Sequence, residues 1–276
     1  LTSQSERAAP DADATGPSNR PILISAMQFE DELKSGQRSV WEVIDIALQT
    51  GADGVELRRE TWPRLDEELA EAARRIADAG LLVTYATQAT LFGDAAASLQ
   101  LRQDIDAAAT LGAPIVRFFP GQTPPADDDS AWARAHQTVE YAAAQGTIIA
   151  LENYARTPGG TLAEIQGALT RLASPALRTN LDMGNYPNHG QDVVAAINAL
   201  SGHIIAAHLK DKTAIPSDPP IHLGAGVLPL ADILTALNRL PQHVYYIFEF
   251  RGGSDPLGGI RQSLSYLKQH EKKRPT

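Results

Sequence analysis

The sequence predicts an α/β chain folded as a single (β/α)8 TIM barrel, and three observations carry that prediction. First, one grammar recurs: a helical segment stopped by Gly, then a short β-rich apolar run. It is seen in "TGADGVELR" (50–58), "AGLLVTYATQ" (79–88), "LGAPIVRFF" (111–119), "QGTIIALEN" (145–153) and "SGHIIAAHL" (201–209). Gly suits the position just past a helix end, where the left-handed conformation costs it nothing. Second, from Pro21 onward no linker or shift in composition marks a second domain. Third, no G-x-G-x-x-G follows the first apolar run, which speaks against the rival doubly wound open sheet.

Taken in order, the elements begin with a candidate strand at "ILISAMQF" (22–29), followed by the run ending in Glu56 and Leu57. A helix is expected over 64–79, where Leu65, Leu69, Ala72, Ala73 and Ile76 recur at three- and four-residue steps and charges fill the other faces. Segments 94–111, 131–145, 161–172, 190–200, 230–239 and 256–270 repeat that pattern, with Pro63 and Ser130 as entry signals near two starts. "ALRTNLDM" (176–183) and "VYYIFEF" (244–250) complete eight strands alternating with helices. The unbroken apolar character of "TIIAL" and "HIIAA" suits parallel strands buried on both faces.

The first 20 residues are rich in Ser, Ala, Asp, Pro and Gly without an apolar stretch, and are expected to form a disordered leader ahead of a barrel spanning 21–276. A formal net charge of −9 argues against a nucleic-acid partner and against a membrane surface. No run reaches the roughly 18 apolar residues of a membrane-spanning helix. With no cysteine, a disulfide framework, a thiolate nucleophile and a Cys-type zinc site are all excluded. The default location is cytoplasmic, though the leader leaves export open. A homo-oligomer is also left open, because the apolar faces of the outer helices cannot be ranked from sequence.

In a (β/α)8 barrel the chemistry sits at the C-terminal ends of the strands. Those ends read Glu56, Gln88, Arg117, Glu152-Asn153-Tyr154, Asp182, His208-Leu209-Lys210-Asp211 and Glu249. Glu152, Asp182, His208 and Glu249 close four successive strands. Three carboxylates and an imidazole gathered there would repel and desolvate badly without a cation among them. Oxygen donors with one imidazole suit one divalent ion, Mn2+, Mg2+, Co2+ or Zn2+.

Six stretches in order, "GADGVEL", "IALENY", "LDMGNY", "AAHLKDK", "HLGAGVLPL" and "YIFEF", resemble the xylose isomerase-like barrel superfamily and its sugar phosphate isomerase/epimerase branch, over about residues 22–270. The resemblance implies a metal held by Glu152, Asp182, His208 and Glu249, with Glu152 and Glu249 removing and returning a substrate proton through an enediolate. It places Glu56 and Lys210 near substrate hydroxyls and makes Arg117, Asn153 and Tyr154 supporting or substrate contacts. Ketose 3-epimerases of that branch carry His three residues after the ligand Asp. Asn185 stands there instead, which can donate a hydrogen bond but cannot shuttle a proton near neutral pH.

The expected activity is therefore a metal-dependent isomerase or epimerase of a small sugar, sugar phosphate or keto-sugar. The alternatives are a lyase or dehydratase on a keto-sugar or keto-inositol, and a non-catalytic sugar-binding barrel. The superfamily's endonuclease chemistry, multi-zinc and histidine-rich, fits poorly with seven His and a net negative charge. His189 and His222 fall in mouth-side loops. "EFRGGSDPLGG" (249–259) offers either a phosphate-holding loop with Arg251 or a plain flexible one, and "DDDS" (127–130) reads as a solvated helix start.

Overall fold

The structure is a computed structural model that describes residues 20–272 apart from 155, 217 and 218. The expected leader therefore lies, except for Arg20, outside the described residues. Eight parallel strands close in sequence order: β1 (Ile22–Ser25), β2 (Gly54–Arg58), β3 (Leu82–Thr90), β4 (Ile115–Phe119), β5 (Ile148–Glu152), β6 (Leu177–Asp182), β7 (Ile204–Leu209) and β8 (Tyr245–Phe248), with β8 pairing back onto β1. Around them lie α1 (Glu30–Ser35), α2 (Val40–Thr50), α3 (Leu65–Asp78), α4 (Ala95–Leu111), α5 (Asp129–Ala144), α6 (Leu162–Leu172), α7 (Val193–Ala199), α8 (Leu230–Asn238) and α9 (Pro256–Lys272). None of the described helices is long and apolar enough to cross a membrane.

The recurring Gly does what its position predicts at Gly51 and Gly112, which close α2 and α4 with φ of 73° and 75°. The structure gives the helical segment stopped at Gly51 its bounds as α2 and adds α1 ahead of it. Here the sequence held a legible signal: Ser39 and Glu42 form a reciprocal capping box at the start of α2. The first strand is also shorter than expected, since Ser25 caps a 3-10 turn over Ala26–Phe29. At α5 the entry residue is Asp128 rather than Ser130. Its Oδ1 accepts from the Ala131 amide and the Ser130 hydroxyl, so the acidic run is a helix cap.

Strand alternation decides what faces the helices and what faces the lumen. Ile24, Val55, Leu57, Val83, Tyr85, Val116, Phe118, Ile149, Leu151, Leu181, Leu209 and Phe248 join the large core shared with the helices. A separate small cluster of Leu23, Ala206 and Ile247 lies apart from that core. These three occupy the other parity of β1, β7 and β8, so they plug the lumen. Two residues further along the same strands stand Ser25, His208 and Glu249. Above its apolar plug, the barrel interior is thus polar.

Candidate metal centre

Register brings the site together. Asp182 pairs directly with His208 across β6 and β7, Glu152 with Asn180 across β5 and β6, and Ser25 with Glu56 across β1 and β2. Glu249 follows β8, its amide still donating to Leu209 O at 3.1 Å. One potential ligand atom from each of Glu152, Asp182, His208 and Glu249 lies within 4.8 Å of the other three, and all four residues are buried. The sequence-predicted quartet therefore converges.

His208 is oriented from behind. Its Nε2 lies 3.0 Å from Glu56 Oε2, and Glu56 Oε1 accepts from Ser25 Oγ at 2.9 Å. This turns Nδ1 toward Glu249 (3.1 Å), Glu152 (3.3 Å) and Asp182 (3.9 Å). That Nδ1 is buried without a hydrogen-bond partner. A carboxylate holding the far ring nitrogen while the near one faces carboxylates is the donor arrangement of a histidine metal ligand. The residues fit a hard or borderline divalent cation.

Each carboxylate is held differently. Asp182 Oδ1 accepts from the Gly184 and Asn185 amides at 2.8 and 3.1 Å, and Oδ2 takes the Lys210 ammonium at 2.6 Å. Lys210 also reaches Glu249 Oε2, while Glu249 Oε1 meets Arg58 Nη1 at 2.5 Å. Arg117 Nε lies 2.9 Å from Glu152 Oε2, and Asn180 Nδ2 donates to the same oxygen at 3.3 Å.

Burial alone would raise all three acids. The charges of Arg117 and His208 instead pull Glu152 down to about 2, and those of His208, Lys210 and Arg58 hold Glu249 well below the usual range. Asp182 is the exception: burial, reinforced by Glu152 and Glu249, outweighs Lys210 and lifts its carboxyl to about 6. Burial opposes the charge on His208, but the Glu249, Glu56 and Glu152 carboxylates raise it well above 6.5.

A cavity of about 460 Å³ opens on this cluster. Of the expected substrate-side residues, Arg117, Tyr154, Asn185 and Lys210 line it, with Tyr154 stacked on Phe119 at 4.8 Å. Two do not. Glu56 is committed to His208 and Ser25. Asn153, fully buried, donates its Nδ2 to Asp182 O at 2.9 Å and accepts from Asp182 N at 2.8 Å. Both therefore pair with residues of the quartet and are absent from the cavity lining, and strand pairing rather than sequence decides that.

His189 and His222 are likewise absent from the lining, His222 lying edge-on to Phe250. In the loop after β8, Arg251 lines the cavity. Asp255 Oδ1 takes the Gly258 amide at 2.8 Å, and Arg251 pairs with Glu30. The sequence reading missed Arg58, Asn180 and Lys212. Arg58 was findable, since it lies two residues beyond Glu56 in "VELR" and so shares its face.

A family model described as xylose isomerase-like TIM barrel matches residues 44–270. Among solved structures, the fold superimposes on an L-ribulose 3-epimerase with TM-score 0.73 and 20% identity, covering 92% of this chain and 94% of that one. The probable 3-DHS dehydratase AsbF of Bacillus anthracis gives 0.72 and 18%, covering 91% and 99%. The 3-keto-D-glucoside 4-epimerase YcjR of E. coli gives 0.70 and 18%, covering 91% and 100%. No curated protein matches the sequence.

Proposed function

The chain belongs to the xylose isomerase-like TIM barrel family, and on that premise we propose that it is a divalent-metal-dependent isomerase or epimerase of a small sugar or keto-sugar. The observation that carries this reading is the convergence of three buried carboxylates on the unpartnered Nδ1 of His208 beside a cavity. Structures of sugar epimerases with the same fold support it.

Glu152, Asp182, His208 and Glu249 would hold Mn2+, Mg2+, Co2+ or Zn2+, which when bound polarises a substrate carbonyl and acidifies the adjacent C–H. Glu152 and Glu249 carry the proton chemistry. Both line the cavity, both are held ionised, and they stand on β5 and just past β8, on either side of β6 and β7. One carboxylate removes the proton and the other returns it at a different face or carbon. Arg117, Arg58 and Lys210, braced against the two glutamates, stabilise the negative charge that develops on the enediolate. The stacked Phe119 and Tyr154 rings give the sugar an apolar wall, and Asn185 offers it an amide.

The test has two parts. Mass spectrometry of dialysed protein is expected to find about one divalent ion per chain, lost in a Glu152→Ala/Asp182→Ala variant. Candidate keto-sugars incubated in D2O with Mn2+ are expected to gain deuterium at the carbon beside the carbonyl and to change configuration or carbonyl position. Loss of water in place of isomerisation would assign the elimination reading, which begins with the same proton removal. Metal-free protein that neither takes up ion nor exchanges deuterium with any keto-sugar leaves a bare binding barrel.

A further inference from the structure

The three oxygens that face His208 Nδ1 are Glu249 Oε2, Glu152 Oε2 and Asp182 Oδ2. Two of them hold one cation in common. Lys210 Nζ donates to Asp182 Oδ2 at 2.6 Å and also to Glu249 Oε2. Neither acid keeps its other oxygen free. Asp182 Oδ1 accepts the Gly184 and Asn185 amides, and Glu249 Oε1 meets Arg58 Nη1. The ammonium is therefore bound to the atoms that these two acids turn toward His208.

The chain makes room for that contact. A Cβ at position 184 would stand 2.8 Å from Lys210 Cδ and 3.0 Å from its Cγ. Carbon atoms pack best at about 3.5–4.0 Å, so a side chain there would press on the middle of the lysine stem. Gly184 does not have a positive φ, so backbone conformation does not demand a glycine at this position. Space for Lys210 does. Lys210 itself is 5% exposed and lines the cavity.

Two cations on one pair of oxygens repel each other, most strongly where water is excluded. We propose that Lys210, seated by Gly184, competes with the divalent ion for Asp182 Oδ2 and Glu249 Oε2, and so sets how tightly the metal is held. This rests on the metal reading of the proposed function and gives Lys210 an effect on the ion besides its effect on the substrate. The sign of the effect is diagnostic. Damage to a site weakens metal binding, whereas removal of a competitor strengthens it.

Mn2+ is titrated calorimetrically into EDTA-stripped, dialysed protein at about pH 7.5, well above the ordinary range of carboxylates. The parent, Lys210→Met and Gly184→Ala are compared, with folding checked by circular dichroism. Lys210→Met keeps an unbranched stem without the charge, and is expected to bind Mn2+ at least about tenfold tighter than the parent. Gly184→Ala keeps the charge but crowds the stem, and is expected to tighten binding several-fold.

A folded Lys210→Met that binds Mn2+ no tighter than the parent overturns the proposal and leaves the metal site standing. If Lys210→Met does not fold, Gly184→Ala decides by the same comparison. Uptake by a variant where the parent takes up none supports the competition and removes the metal-dependent reading from the native protein. No uptake by parent or variants overturns both.

Discussion

Glu56 lies outside the cavity lining, behind His208. Its carboxylate is buried and committed to His208 Nε2 and Ser25 Oγ. Partners of this kind fix the ring and its tautomer, and losing one typically costs about 10–100-fold in metal affinity. Glu56→Gln is expected to lower Mn2+ affinity by about that factor while the far-ultraviolet spectrum is unchanged; an unaltered affinity would show that His208 is positioned without it. The pH dependence follows from Asp182 and His208. Asp182 titrates near 6 in the folded protein against an ordinary 3.8, and His208 well above its ordinary 6.5. Both folded values are raised, so both groups stabilise the metal-free fold below their ordinary values, and that contribution is lost as pH rises through the folded ones. Metal needs Asp182 ionised and His208 neutral. The gap in Tm between Mn2+-loaded and EDTA-treated protein is therefore expected to widen as pH rises through about 6 and beyond.

At the scale of elements, the site depends on two loop anchors. Asn153, just past β5, pairs both of its amide atoms with the backbone of Asp182 at the end of β6. Asn153→Ala leaves a buried N–H and C=O unanswered, which costs about 1–3 kcal/mol per group. Urea unfolding is expected to show a loss of that size, and metal affinity should fall with it because Asp182 loses its placement. Asp211 anchors the segment between β7 and α8. It accepts from the amides of Lys212, Gly224, Gly226 and Leu228, and its backbone bridges Ile221. Asp211→Ala is expected to expose 212–228 to limited proteolysis well before the barrel unfolds, since its amides would have to find water instead. Cleavage no faster than in the parent would mean the loop is held by its apolar contacts alone.

For the molecule as a whole, stability and function occupy different parities of the same strands. The outward set packs against the helices, while the inward set is a small apolar plug below a charged cluster. Leu23 in the plug is fully buried with Ala206 and Ile247 as its apolar neighbours. Leu23→Ala is expected to cost about 2–5 kcal/mol, read by denaturant unfolding, with metal stoichiometry preserved in the protein that remains folded. A loss below that range would mean the lumen collapses around the missing side chain.

The closed eight-strand order, most strands and the convergence of Glu152, Asp182, His208 and Glu249 were legible in the sequence. Each rests on a local pattern: Gly-stopped helices, apolar runs, and polar residues where a run ends. Alternation along a strand also makes Arg58 readable from Glu56, because period two is a property of the chain itself. Only the tertiary structure separated Glu56 and Asn153, which pair with His208 and Asp182, from Arg117 and Tyr154, which face the cavity. That distinction depends on cross-strand register and on which neighbour satisfies each buried polar atom, and neither is encoded at any single position. The same holds for the charge of the cavity. The sequence determined a net acidic chain with a barrel's rhythm, while closure of the barrel gathered Arg58 of β2, Arg117 of β4, and Lys210 and Lys212 just past β7 around one space. Local pattern fixes what a strand offers, and only packing fixes what it meets.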